Sequence, residues 1–193
     1  MGKPLVRVIY EDRRGAQNAD MVLHKLLLNC VNDRAPHHEH SVLHHLVRHD
    51  TPKNVGNALK AFAMEGGPSG EFLIALLDRD RLPEHLPGRL PRTACRQQIF
   101  EVIFSSVAPR TQRRELVLLE QNLESLIEHL EPKLPHALQD HVRTALKKGS
   151  GARLSRDLIL GEAAGSLDLR RHVVLFPSFG RLVDAVVRQL PAP

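Results

Sequence analysis

Residues Phe72 to Leu77 read Phe-Leu-Ile-Ala-Leu-Leu, an unbroken apolar run that stops abruptly at Asp78-Arg79-Asp80. A strand with one wet face alternates polar and apolar residues. A run this short and this uniform is the mark of a strand covered on both faces, as in a parallel sheet between two helical layers. A second run, Leu5 to Tyr10, is rich in β-branched residues, follows Pro4 and stops at Glu11-Asp12-Arg13-Arg14. Both strands therefore end in acids.

The segments between these runs have helical spacing. Asp20 to Val31 carries Met21, Val22, Leu26, Leu27, Cys30 and Val31 on one stripe, with Asp20 suited to an N-cap. Asn54 to Met64 is a helix with Val55, Leu59 and Phe62 inward, closed by Gly66-Gly67-Pro68. Arg92 to Val107 and Leu123 to Leu130 read as helices, and Leu116 to Glu120 as a short strand. Ser41 to His49 fits either a helix or a strand, and the alternation of its neighbours favours a strand before Thr51-Pro52. The order β-α-β-α-β-α-β predicts an α/β fold: a mostly parallel four-stranded sheet with helices on both faces. His136 to Lys148, Arg153 to Ala164 and Ser178 to Leu190 add a helical C-terminal extension. One domain over residues 1–193 is expected, with its core over about 4–130 and the extension over about 131–193.

A chain of 193 residues buries enough surface to form a core without disulfide or metal staples. No apolar run reaches the length of a membrane span, and the first residues turn charged too soon for a signal peptide, so no membrane partner is expected. Cys30 and Cys95 stand far apart without a CxxC pair, which points to a reducing, cytoplasmic setting and away from zinc-finger frameworks. The net charge of +5 and a pI near 9.6 favour an anionic partner, nucleic acid first.

In open α/β sheets ligands bind beyond the carboxyl ends of the strands, where Glu11, Asp78 and Asp80 fall. Clustered carboxylates repel unless a cation neutralises them, and hard oxygen ligands suit Mg²⁺ or Mn²⁺. With alternation of side chains, Asp78 and Asp80 point the same way off one strand end and Arg79 points away, so the DxD spacing supplies two ligands to one site.

A glutamate after the first strand and a DxD after a later buried strand, in LVRVIYED at residues 5 to 12 and FLIALLDRD at residues 72 to 80, resemble the Toprim fold. That fold occurs in topoisomerases, primases, recombination mediators and nucleases of the overcoming-lysogenisation-defect class. Many of its members continue the first motif as Glu-Gly, whereas this chain has Glu11-Asp12-Arg13-Arg14-Gly15, which leaves the third acid open. The stretch from Leu118 to Ile127, with Glu120 and Glu124, and the ending Phe176 to Leu182 are similar to small stand-alone Toprim-like proteins of bacterial defence loci.

The resemblance implies a metal-dependent nuclease of an antiviral system. Glu11 would be general base or ligand, Asp78 and Asp80 would hold Mg²⁺ or Mn²⁺, and Glu124 would be a further ligand. It also implies a lysine on the scissile phosphate, a role open to Lys147 or Lys148. Arg13, Arg14, Arg79 and Arg81 flank the acids and have forks that match backbone phosphates. The chain contains no GxxxxGK(S/T) loop, so nucleotide-driven control would come from a partner ATPase.

Two other readings stand beside this one. The first is a non-catalytic Toprim-like subunit that binds or regulates within an ATPase-containing complex; the apolar stripe of Ser178 to Leu190 would also suit assembly, homo-oligomers included. The second is a zinc site among His37, His38, His40, His44, His45 and His49, where a helix would align His40 with His44 or His45 with His49. No glutamate completes an HExxH pattern there, and a strand would split His44 from His45.

Overall fold

A computed structural model describes residues 5–10, 17–50, 52, 54–64, 71–79, 82–86, 90–91, 93–105, 113–119, 123–140 and 152–192. The strands are β1 (Val6–Tyr10), β2 (Val47–Asp50), β3 (Phe72–Asp78) and β4 (Arg114–Leu119). They form one all-parallel sheet in the order β2-β1-β3-β4, with Val6 opposite both Val47 and Phe72, and Leu73 opposite Arg114. Among the helices are α1 (Gln17–Arg34), α2 (His40–Leu46), α3 (Val55–Met64), α4 (Leu82–His85), α5 (Arg96–Ser105) and α6 (Leu123–Leu130). A 3-10 turn at Glu131–Lys133, helical residues 136–140 (α7), α8 (Ala152–Gly165), α9 (Leu167–Val173) and α10 (Pro177–Val187) complete the described chain.

The uniform apolar run of β3 has the expected cause. Ile74 and Leu76 enter a cluster with Val8, Leu27, Val117 and Phe179, while Ala75 and Leu77 enter another with Ile9, Phe62, Ile99 and Leu118. Successive side chains of one strand thus serve two cores, one under α1 and the C-terminal helices, the other under α3, α4 and α5. On α1, Leu23, Leu26, Leu27, Cys30 and Val31 are buried as a continuous stripe against the sheet.

The C-terminal helices share the first core. Ile159, Ala163, Leu169, Phe179 and Val183 belong to the same cluster as Val8 of β1 and Ile74 of β3. Small residues on α8 let it lie close to α1, and Asn29 donates to the carbonyl of Ala164 at 2.8 Å. Arg170 forms a two-pronged pair with Asp33, Nε to Oδ2 at 2.6 Å and Nη2 to Oδ1 at 3.1 Å, joining α9 to α1. No described helix is long and apolar enough to cross a membrane.

Several boundaries differ from expectation. The stretch 41–49 is mostly helical, not a strand: α2 runs through Leu46 and only Val47–Asp50 pair with β1. Leu43, Leu46 and Val47 recur at i, i+3 and i+4 on the inner side while Val42 is exposed, so the helical reading of that stripe prevails and the edge strand is short. The helix expected from Arg92 begins at Arg96. The final helix is preceded by α9, which Ser166 caps by accepting from Leu169 N–H, and Pro177 opens α10 at its first turn.

Candidate functional site

The crossovers decide where a ligand can enter. From β1 the chain passes through α1 to β2 at one edge; from β3 it passes through α5 to β4 at the other, and the two helices lie on opposite faces. The carboxyl ends of the adjacent strands β1 and β3 therefore flank the topological switch point, the crevice where open α/β sheets bind ligands.

Tyr10 closes β1 and Asp78 closes β3. Tyr10 is level with Leu76, so Asp78 lies one strand repeat further toward the carboxyl edge and, by alternation, on the same face as Tyr10. Asp78 is buried, with 7% of its surface exposed. A carboxylate at that depth has lost most of its hydration and needs partners within the fold, which a solvated strand end does not. The strand ends at Asp78, and half-buried Arg79 stands in a turn.

Glu11, Asp80, Arg13, Arg14, Arg81, Glu120, Lys147 and Lys148 lie outside the described residues. Glu124 is the second residue of α6, and its side chain is likewise outside the description. Asp78 thus supplies a hard oxygen donor of the kind Mg²⁺ takes, at the switch point. Among the described residues, no group of three or more His, Cys, Asp or Glu side chains is arranged to hold a metal ion.

The histidine run is divided by the helix-to-strand junction. His40 and His44 share α2, whereas His45 ends up on α2 and His49 on β2. The rings of His37 and His38 are tilted against each other with centroids 4.2 Å apart, and Nε2 of His38 lies 3.1 Å from the carbonyl of Pro191. These contacts use the imidazoles as surface groups.

A different constellation forms on the α1 face beside the crevice. The hydroxyl of Tyr10 lies 3.0 Å from Nδ1 of His24, and the rings of His24 and His49 have centroids 4.4 Å apart. Burial first, then the neighbouring His49, pushes the His24 imidazole down to about 3, against an opposing backbone hydrogen bond to Val47. His24 is therefore neutral, and its N–H serves the backbone while Nδ1 accepts from Tyr10. Burial also lowers His49, with Asp50 opposing. The sequence contained one signal for this group: His24 lies at i−3, i−4 and i−7 from Leu27, Leu28 and Val31, a polar residue on a buried stripe.

No family model matches this chain, and no curated protein or solved structure does either.

Proposed function

We propose that this protein is a metal-dependent nuclease that hydrolyses phosphodiester bonds of DNA or RNA at the carboxyl edge of its sheet. The observation that carries the reading is the buried carboxylate of Asp78, at the end of the strand that flanks the switch point. The position of Glu11, next in the chain after Tyr10, and the basic balance of the protein support it.

Glu11, Asp78 and Asp80 would hold Mg²⁺ or Mn²⁺, with Glu124 as a further ligand. Such an ion lowers the pKa of a bound water and offsets the charge that develops on the phosphate. Glu11 would serve either as a ligand or as the base that takes the proton of the attacking water. Arg14, Arg79, Lys147 and Lys148 would hold the nucleic-acid backbone. A cytoplasmic role in antiviral defence, under control of a partner ATPase, belongs to the same Toprim-like reading.

The test is cleavage of plasmid DNA and total transfer RNA with Mg²⁺ or Mn²⁺, comparing the wild type with the Asp78→Ala, Asp80→Ala double variant and with EDTA. Cleavage lost in both controls is the expected result and names the substrate class. Folded protein that cuts neither substrate would favour a non-catalytic binding or regulatory subunit.

A further inference from the structure

A cavity of about 380 Å³ opens between α1, α2 and β2, lined by Val22, His24, Lys25, His44, Val47 and His49. Its size lies within the roughly 300–1,000 Å³ that small-molecule sites occupy. Half-buried Val22 offers an apolar wall over buried Val47, and the exposed ring of His49, tilted against buried His24, offers a π-surface. Lys25 and His44 are exposed at the rim. The wall at His24 is held in place, because Tyr10 hydrogen-bonds the ring and the backbone of Val47 hydrogen-bonds it as well.

The lining is wrong for a bare anion or a metal ion. A free phosphate would gain nothing from Val22 and Val47, and Nδ1 of His24 is already engaged by the Tyr10 hydroxyl. It suits a flat heteroaromatic ring that carries an anionic group: the ring against imidazole and valine, the anion against ammonium and imidazole. Tyr10 links this cavity to the switch point, since it ends β1 and its ring centre is 6.5 Å from that of His49.

We propose that this cavity takes one unstacked nucleobase of a single-stranded nucleic acid, with Lys25 and His44 on its phosphate and the backbone continuing toward Asp78. The inference rests on the nuclease reading and names the substrate form: single-stranded, with one base drawn out of its stack.

The experiment uses the full chain without added metal. NMR signals of the His24 and His49 rings are followed while adenosine and uridine 5′-monophosphate, ribose 5-phosphate and inorganic phosphate are titrated separately. Both nucleotides are expected to shift the His49 signals saturably, at least tenfold more tightly than the two base-free phosphates. His49→Ala should weaken nucleotide binding about tenfold, the worth of one stacking platform, while His49→Phe, which keeps an aromatic face, retains it. Thermal melts of both variants check that they fold.

Equal binding of ribose 5-phosphate or phosphate would reduce the cavity to an anion site and overturn the proposal. So would nucleotides that leave His49 unmoved at millimolar concentration, or unimpaired binding by His49→Ala. Because no cleavage is measured, the two readings separate. Nucleotide binding by a protein that never cuts would remove the nuclease and keep the base site; cutting that depends on Asp78 with no nucleotide effect on His49 would do the reverse.

Discussion

The Tyr10 hydroxyl lies 3.0 Å from Nδ1 of His24, a hydrogen bond that joins the last residue of β1 to the inner face of α1. Tyr10 is 1% exposed and His24 5%, so neither group has water as a substitute partner. The pair orients the wall of the neighbouring cavity and fixes the strand end from which Glu11 departs.

Tyr10→Phe removes the donor and keeps the ring. The acceptor nitrogen of His24 is then buried without its partner, at a cost of about 1–3 kcal/mol. Urea unfolding at pH 7 should show a lower midpoint with an unchanged slope. An unaltered midpoint would mean that the bond contributes nothing to stability.

Acid should destabilise the protein through His24. Its folded-state pKa, about 3, lies below the ordinary value of 6.5, so between these limits the unfolded chain binds a proton that the folded chain refuses. The contribution is complete above about pH 6.5 and is lost as pH falls toward 3, at about 1.4 kcal/mol per pH unit. Unfolding free energies measured from pH 7 to pH 4 should fall less steeply in His24→Gln than in the wild type. Parallel profiles would assign the acid sensitivity to other groups.

Gly180→Ala should be strongly destabilising. A Cβ at Gly180 would run into the backbone carbonyl oxygen of Val174, which a rotamer change cannot move aside. Overpacking of this kind costs about 1–3 kcal/mol, and here the turn before α10 must yield. A melting temperature within experimental error of the wild type would show that this turn is not tightly packed.

Arg170→Lys should weaken the junction of α9 with α1. The lysine cannot reproduce the two-pronged pair with Asp33 while also donating to the carbonyl of Ala164, as Nη1 does at 2.9 Å. A loss of about 0.5–1 kcal/mol is expected for this partly exposed fork. Comparable unfolding of variant and wild type would reduce the pair to a surface contact.

The two thiols should differ in reactivity. Cys30 is buried and its thiol is pushed up to about 12, first by burial and then by Asp33, whereas Cys95 is exposed. A thiol reagent at pH 8 should modify one cysteine per chain quickly and the second only on unfolding, with peptide mapping placing the first at Cys95. Rapid labelling of Cys30 would show that α1 opens readily.

The strands were legible because each apolar run satisfies two cores at once: Ile74 and Leu76 face one way, Ala75 and Leu77 the other, and that demand leaves no polar position between them. The stretch from His40 to Asp50 was harder, since seven helical and four extended residues both accommodate Leu43, Leu46 and Val47. The short α9 escaped notice because its apolar stripe, Leu169 and Val173, is a single turn long. Asp78 was readable from its place after an apolar run, while Tyr10, His24 and His49 were not, being 14 and 25 residues apart with no motif between them.

Local patterning by itself determined the class: unbroken apolar runs separated by segments of 3.6-residue period specify alternating strands and helices, and an acid, Asp78, ends one of those runs. Strand order, the level of Tyr10 against Leu76, and the meeting of Tyr10, His24 and His49 were decided only by tertiary structure. Pairing and packing join residues that are distant in the chain. Their energy depends on register and crossover direction, which no local window of sequence contains.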